Sequence, residues 1–134
     1  MKITRIDQFF PKSRIRLVKI TTDTSLVGWG ETTLEGRPHS TMAAVDEIAD
    51  YLIGKDPLRI EHHWQHVYRS AFFRGGNVLM SALSGIDQAL WDIAGKHHGV
   101  PIHTLLGGAV RDRIRVYAHW GISDPSEETK AAAR

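Results

Sequence analysis

Residues 72–108 read FFRGGNVLMSALSGIDQALWDIAGKHHGVPIHTLLGG, and this stretch decides the fold. Its apolar residues recur at the three- and four-residue spacing that places side chains on one stripe of an α-helix. The stripe consists of Leu79, Leu83, Ile86, Leu90 and Ile93. Because such a stripe must be buried, the sequence predicts an amphipathic helix that packs against another element of the fold.

Residues at both ends of this segment predict where the helix begins and ends. Asn77 is an expected N-cap, since its side chain can accept a hydrogen bond from a free backbone N–H. Gly99 permits a left-handed cap and Pro101 lacks an N–H, so the helix is expected to end there. Ahead of the helix, residues 74–77 (RGGN) form a flexible, cationic loop whose composition suits closure on an anion.

The rest of the chain begins with strands and continues with helices. Residues 3–10, 15–22 and 26–31 are β-branched and aromatic segments whose connections are too short for parallel crossovers, so they predict a three-stranded antiparallel meander. Helices are expected at about 40–52 and 59–72. Together these elements predict an α+β fold in which a small helical bundle lies on one side of the sheet.

The last twenty residues suggest a new unit. Residues 114–119 have the pattern of a strand, and residues 124–127 (DPSE) have the pattern of a helix start. A strand followed by an unfinished helix is the opening of a β/α unit, so we expect the chain to be the N-terminal part of a longer protein. The alternative is a frayed C-terminal helix.

Composition narrows the class of protein. The chain has 134 residues, of which 42% are hydrophobic, so one modest domain is expected and a second full domain is not. A net charge of +2 with scattered basic residues argues against nucleic acid as a partner. The absence of cysteine excludes a disulfide framework, and no apolar run is long enough to span a membrane. We therefore expect a cytoplasmic protein without a membrane partner.

Five segments in order resemble a known family. They are VGWGE at 27–31, YLIGKDP at 51–57, YRSAFFRGG at 68–76, the helix segment at 80–96 and LLGG at 105–108. Together they resemble the N-terminal domain of the mandelate racemase/muconate-lactonizing branch of the enolase superfamily. Within that branch the pattern is most similar to sugar-acid dehydratases of the galactonate dehydratase type.

The resemblance implies a two-domain enzyme. An α+β capping domain, here residues 1–112, would close over a (β/α)7β barrel, of which residues 113–134 would be the first β/α segment. The barrel would hold Mg²⁺ and the catalytic bases, so the resemblance implies no catalytic or metal-binding residue in this chain. The implied reaction is abstraction of the proton next to a carboxylate through a Mg²⁺-stabilised enediolate, followed by loss of water to give a 2-keto-3-deoxy sugar acid. Relatives are commonly homo-oligomers.

The resemblance also implies substrate-binding residues, because two loops of the capping domain fold over the substrate. Arg14 lies in the first of these loops, although a solvated turn arginine is the alternative. Glu35 and Arg37 belong to a tetrapeptide that resembles a stretch supplying a polar substrate contact in mannonate dehydratases, where asparagine stands in place of Glu35. His119 would end the first barrel strand and resembles the histidine that binds substrate there in mannonate dehydratases, whereas galactonate dehydratases usually lack it; the alternative is a histidine packed under a loop. Arg74 is either a lid contact or a helix-end charge.

Histidine and serine motifs offer weaker alternatives. His62 and His66 lie one helical turn apart and His63 is adjacent, but no third distant ligand is evident, so a polar helix face is favoured over a zinc site. Ser81 and Ser84 lack the Gly-x-Ser-x-Gly elbow of acyl-transfer enzymes.

Two other functions stay open from the sequence. The first is a non-catalytic, truncated α+β interaction module. The second is the cap of a mannonate or gluconate dehydratase, or of a racemase, in the same family.

Overall fold

A computed structural model describes residues 1–12 and 14–117. The strands are β1 (Ile3–Lys12), β2 (Ile15–Thr22) and β3 (Val27–Glu31). The helices are α1 (Pro38–Leu52), α2 (Ile60–Arg69), α3 (Asn77–His98) and the short α4 (Ile102–Leu105). The three strands form one antiparallel sheet in the order β1, β2, β3, which confirms the predicted meander and the α+β fold class.

The core lies between the sheet and the helices. Val18 and Ile20 in the central strand are fully buried, as are Ile86 and Ile93 on α3 and Val45 on α1. Burying a side chain of this size stabilises the fold by about 1.5–3 kcal/mol relative to leaving it exposed. The long stripe of α3 is therefore the element around which the sheet, α1 and α2 assemble.

Two glycines of β3 let α3 approach the sheet closely. Gly28 and Gly30 pair with Ile20 and Val18 across the sheet, so they lie on its buried face. A Cβ at Gly28 would collide with the backbone carbonyl of Ala89, and one at Gly30 would collide with that of Gly85. The glycines at 28 and 30 thus serve backbone-to-backbone packing of a strand against a helix.

Polar side chains of α3 also cover the free edge of β3. The carboxylate of Asp92 accepts from the N–H of Trp29 at 3.0 Å, and the Gln88 side-chain oxygen accepts from the N–H of Glu31 at 3.0 Å. Lys96 donates to the carbonyl of Val27 at 2.8 Å and to Asp92 at 2.6 Å. An open strand edge can pair with a strand of another chain. Gln88, Asp92 and Lys96 are four residues apart on one face of α3, and together they cover this edge.

Several predicted boundaries differ from the structure. Helix α1 begins at Pro38, before the expected residue 40 or 41, because proline suits the first helical turn. Helix α2 ends at Arg69, not at residue 72, and Ala71 is exposed. Gly76, with a φ of 84°, is the N-cap of α3 in place of Asn77, because glycine adopts that left-handed angle readily. Leu79 was predicted on the buried stripe but is 41% exposed.

The predicted strand at 114–119 is not formed over the residues that the structure describes. Residues 114–117 are exposed and have no strand pairing, since a strand gains stability only from a neighbouring strand or packed face. Ala118, His119 and the predicted helix start at 124–127 lie outside the described residues. In the part of the chain that is described, no helix has the length and apolarity to cross a membrane.

Candidate functional site

The β1–β2 loop and the β3–α1 loop meet at one end of the sheet. The backbone N–H of Thr32 donates to the carbonyl of Arg16 at 2.9 Å. The N–H of Arg16 donates to the Thr33 hydroxyl at 2.9 Å. These two bonds extend the pairing of β2 and β3 beyond the end of β3, so the chain entering the β3–α1 loop is held against the base of the β1–β2 loop.

Arg14 and Glu35 lie across from one another above this junction. A guanidinium nitrogen of Arg14 is 3.6 Å from a carboxylate oxygen of Glu35, and their side chains are 83% and 72% exposed. Both line an open groove of ≈ 410 Å³ whose other walls are Arg16, Leu34, Gly36 and Pro38. The structure therefore brings together two of the five residues predicted from the sequence.

Arg37 follows directly in the same loop but has a backbone role. It is the N-cap of α1, and its carbonyl accepts from the N–H of Thr41 at 3.2 Å and from the Thr41 hydroxyl at 3.1 Å. Its side chain is exposed and does not line the Arg14–Glu35 groove. Arg37 therefore fixes where the loop ends and α1 begins.

Arg74 belongs to a different cavity. It lines a surface cavity of ≈ 160 Å³ between α1, α2 and the start of α3, together with Glu47, Tyr51, His66 and Phe73. No residue of this cavity lines the Arg14–Glu35 groove. The predicted lid residue is thus separate from the first pair. His119 lies outside the described residues.

The histidines of α2 form a structural junction. The Asp56 carbonyl can only accept, so Nε2 of His63 donates to it at 2.8 Å, and Nδ1 accepts from the Tyr51 hydroxyl at 3.0 Å. Both ring nitrogens of the buried His63 are thereby engaged within the protein. The ring of His66 stacks on Tyr51 with centroids 3.9 Å apart. This cluster ties α2 to the end of α1.

Burial shifts the pKa values of two side chains in this junction, His63 and Tyr51. Desolvation lowers the pKa of His63, its hydrogen bond to the Asp56 backbone opposes this shift, and electrostatic interactions with His62 and Arg59 add to it. Burial also raises the pKa of Tyr51. Both groups therefore favour their neutral forms, in which the two ring hydrogen bonds are made.

The described residues do not fit a Mg²⁺ site. Residues 1–12 and 14–117 contain no group of three histidine, aspartate or glutamate side chains placed to hold a metal ion. Oxygen atoms, mainly those of carboxylates and water, are the ligands that Mg²⁺ prefers. No step of a metal-dependent reaction is therefore assigned to these residues.

Sequence reasoning missed Arg16 as a groove residue. The sequence places Arg16 within the second strand. In the structure its guanidinium lies 4.7 Å from the centre of the Phe10 ring and donates to the Ile15 carbonyl at 2.9 Å. Its position at the start of β2, next to the loop carrying Arg14, was the signal available in the sequence.

Known proteins match the chain over nearly its whole length. It is 55% identical over 127 residues to a D-galactonate dehydratase of Pectobacterium atrosepticum, and 54% identical over 127 residues to one of Ralstonia nicotianae. Each match covers 95% of this chain and 33% of the relative. The chain thus spans about a third of the length of these curated relatives.

Solved structures share the same fold. An enolase from Pantoea ananatis with bound D-gluconate and Mg is 43% identical with a TM-score of 0.81, over 87% of this chain and 29% of that chain. An enolase from Agrobacterium radiobacter with bound Na and L-malate is 37% identical with a TM-score of 0.82, over 87% and 30%. Residues 9–107 match the N-terminal domain of mandelate racemase / muconate lactonizing enzyme. The chain belongs to the mandelate racemase / muconate lactonizing enzyme family.

Proposed function

We propose that the chain is the capping part of a Mg²⁺-dependent sugar-acid dehydratase that acts on D-galactonate. The observation that carries the proposal is the identity of 55% to a D-galactonate dehydratase along 95% of the chain. In this proposal, α-proton abstraction and loss of water belong to residues outside the described chain, and so does the metal. A small-molecule sugar acid is the partner, and a homo-oligomer is expected for the complete enzyme.

The capping role rests on the two loops that meet above the sheet. Arg14 and Glu35 present exposed polar groups to a groove of ≈ 410 Å³, on a base held by the Arg16–Thr33 bond. Loops on a rigid scaffold are where binding residues concentrate. We assign substrate contact to Arg14 and Glu35 first. Arg37, Arg74 and His119 are secondary candidates, because the groove is not lined by Arg37 or Arg74 and His119 is not described.

D-gluconate is the second substrate to consider, on one specific observation. The Pantoea ananatis enolase that shares the fold at 43% identity carries bound D-gluconate and Mg. D-gluconate and D-galactonate differ in the configuration of a single hydroxyl group. A site that forms hydrogen bonds to that hydroxyl discriminates strongly between the two acids, because the wrong configuration leaves a polar group of the site unpaired.

The test begins with the complete reading frame. The encoded protein is purified and incubated with Mg²⁺ and a panel of sugar acids, and loss of one water is followed by mass spectrometry. We expect D-galactonate to be dehydrated fastest and the reaction to stop when EDTA is added. Dehydration of D-gluconate alone would overturn the substrate assignment, and no dehydration of any sugar acid would overturn the proposal.

The isolated 134-residue chain provides the matched control. We expect it to give no product under the same conditions, because the described residues contain no group of three side chains placed to hold a metal ion. Turnover by this chain alone would contradict the assignment of the chemistry to residues beyond it.

A further inference from the structure

The surface cavity lined by Arg74, between α1, α2 and the start of α3, has the size of one aromatic ring. Its volume is ≈ 160 Å³, and an apolar cavity of about 150 Å³ holds a benzene molecule. Much of its wall is apolar, formed by Ile48, Val67, Phe73, Leu79, Met80 and Leu83. The Arg74 cavity therefore suits an apolar ring, which would exclude water from these side chains.

Phe72 carries a ring of that size at the edge of the cavity. Its side chain is 92% exposed, although Ala71 and Phe73 on either side of it both line the cavity. The ring of Phe72 packs edge to face against Phe73 with centroids 5.1 Å apart, and it does not line the cavity itself. Each copy of the chain thus presents an exposed ring beside a cavity that such a ring fits.

A ring beside a matching cavity is the arrangement that a two-fold dimer requires. In such a dimer the same patch of both copies forms the interface, so the ring of each copy enters the cavity of the other. Phe72 and Phe73 of the two copies would bury on the order of 600 Å², about half of the roughly 1,200 Å² of a small specific interface. Leu79, which is partly exposed at the cavity wall, adds to this area.

Two charged residues of the cavity favour a second copy over other partners. Glu47 and Arg74 are both exposed, and no ion pair joins either of them to another described residue. A patch with one charge of each sign complements a copy of itself, because a two-fold axis can pair Glu47 with the partner's Arg74. A partner with charges of one sign only would be repelled by one of the two residues.

We propose that Phe72 and the Arg74 cavity form a two-fold interface between copies of this chain, in which Phe72 of each copy occupies the cavity of the other. The inference rests on the proposed function for the expected homo-oligomer, but it requires no particular substrate. The competing occupant of the cavity is a segment of the complete protein outside the described residues.

Native mass spectrometry of the complete protein tests the interface. We expect the wild type to be an oligomer and Phe72→Ala to fall to half of its mass or less. Association should weaken about a hundredfold, because each interface loses two buried aromatic rings. Val110→Ala is the matched control and should keep the wild-type mass, since Val110 is 91% exposed and does not line the cavity. A monomeric wild type, or a Phe72→Ala protein of unchanged mass, would overturn the proposal.

A mixing experiment distinguishes a second copy from a segment of the same chain. Ala71→Trp fills the cavity from its own wall and keeps Phe72, whereas Phe72→Ala keeps the cavity and loses the ring. Each variant alone should lose the interface, and the mixture should regain the wild-type mass, because the remaining ring enters the remaining cavity. Leu79→Trp is a second cavity-filling variant, and circular dichroism establishes that each variant is folded.

Two results of this experiment would contradict the interface. The first is a mixture that keeps the reduced mass of its components. The second is a Phe72→Ala protein that melts at a lower temperature with unchanged mass, which would assign the ring to a segment of the same chain.

The interface and the proposed function fail separately, because one is measured as mass and the other as loss of water from a sugar acid. An enzyme that dehydrates D-galactonate but keeps its mass in Phe72→Ala retains the function and loses the interface. A protein that dehydrates no sugar acid but regains its mass on mixing retains the interface and loses the function.

Discussion

Two neighbouring regions of the molecule depend on opposite kinds of residue. Where β3 packs on α3, Gly28 and Gly30 contribute no side chain and let the backbones touch. In the loops on either side of β2 and β3 along the chain, Arg14 and Glu35 extend long charged side chains into solvent. The first region tolerates no added atom, and the second has open space around it.

The difference shows which residues identify the family and which are candidates for substrate binding. Packing of a strand backbone on a helix backbone fixes the position of β3, and through Thr32 and Thr33 it fixes the start of the β3–α1 loop. Substitution of the loop side chains Arg14 and Glu35 is expected to cost the fold little, because they are exposed. The same separation is seen in α3, whose buried stripe is structural, while the groove takes no residue from it.

The largest expected effect is at the glycine contact. Gly30→Ala places a methyl group against the Gly85 carbonyl, so β3 and α3 must separate. Overpacking against backbone costs about 3 kcal/mol or more, since neither neighbour can rotate away. Urea denaturation followed by circular dichroism measures this loss.

Gly54→Ala is the matched control for that variant. Gly54 has a φ of 81° and open space where a Cβ would be, so alanine there adds backbone strain without a collision. We expect a loss of about 1 kcal/mol. Equal losses at Gly30 and Gly54 would contradict the claim that close packing sets the β3–α3 contact.

Much of the fold was predictable because its signals are local. The period of Leu83, Ile86, Leu90 and Ile93 indicated the buried face of α3, and all four are buried. Leu79 was misplaced, because helical spacing does not show where the partner of a helix ends. Helical spacing places Gln88, Asp92 and Lys96 mostly off this Leu/Ile stripe. Their role at the strand edge required knowing that β3 ends the sheet.

The candidate site was less predictable for the same physical reason. Arg14 and Glu35 are 21 residues apart in the chain, and nothing local in either loop indicates that they meet. The resemblance supplied both residues, but only the structure shows them adjacent. Arg74 came from the same resemblance and lies at a different cavity, because the loop that carries it follows α2 and not the sheet.

The next effect in size is at His63. His63→Gln at pH 7 weakens two buried hydrogen bonds, to Tyr51 and to the Asp56 carbonyl, and should cost about 1–3 kcal/mol of unfolding free energy. His62→Gln, on the exposed side of the same helix, is the control and should change stability by no more than about 0.5 kcal/mol. Similar losses in both variants would show that the junction is unimportant.

The same residue predicts a pH dependence. The pKa of His63 is lowered from 6.5 in the folded state, mainly by burial, so the unfolded chain binds a proton first as the pH falls. The stabilisation that neutral His63 provides is complete above pH 6.5, and it is lost as the pH falls through the lower pKa of the folded state. The wild type should therefore lose stability between pH 7 and pH 5 more steeply than His63→Gln. Parallel curves for the two proteins would contradict this.

A smaller loss is expected at the covered strand edge. Asp92→Ala leaves the N–H of Trp29 without its acceptor and removes the ion pair with Lys96, which should cost about 1–2 kcal/mol. Asp50→Ala, at an exposed position of α1, is the control, with an expected change within about 0.5 kcal/mol. Light scattering adds a second readout, because an uncovered edge promotes association. A stable, monodisperse Asp92→Ala protein would contradict the claim that Asp92 protects the edge of β3.

The smallest stability effect is expected where the largest binding effect is proposed. Arg14→Ala and Glu35→Ala each remove one partner of an exposed pair, so the urea midpoint should shift by less than the equivalent of about 1 kcal/mol. A residue retained for packing loses stability when truncated, whereas one retained for a ligand loses affinity. If either variant destabilises the protein as much as Asp92→Ala, the pair holds the two loops together, and the contrast between the rigid sheet contact and the open groove no longer stands.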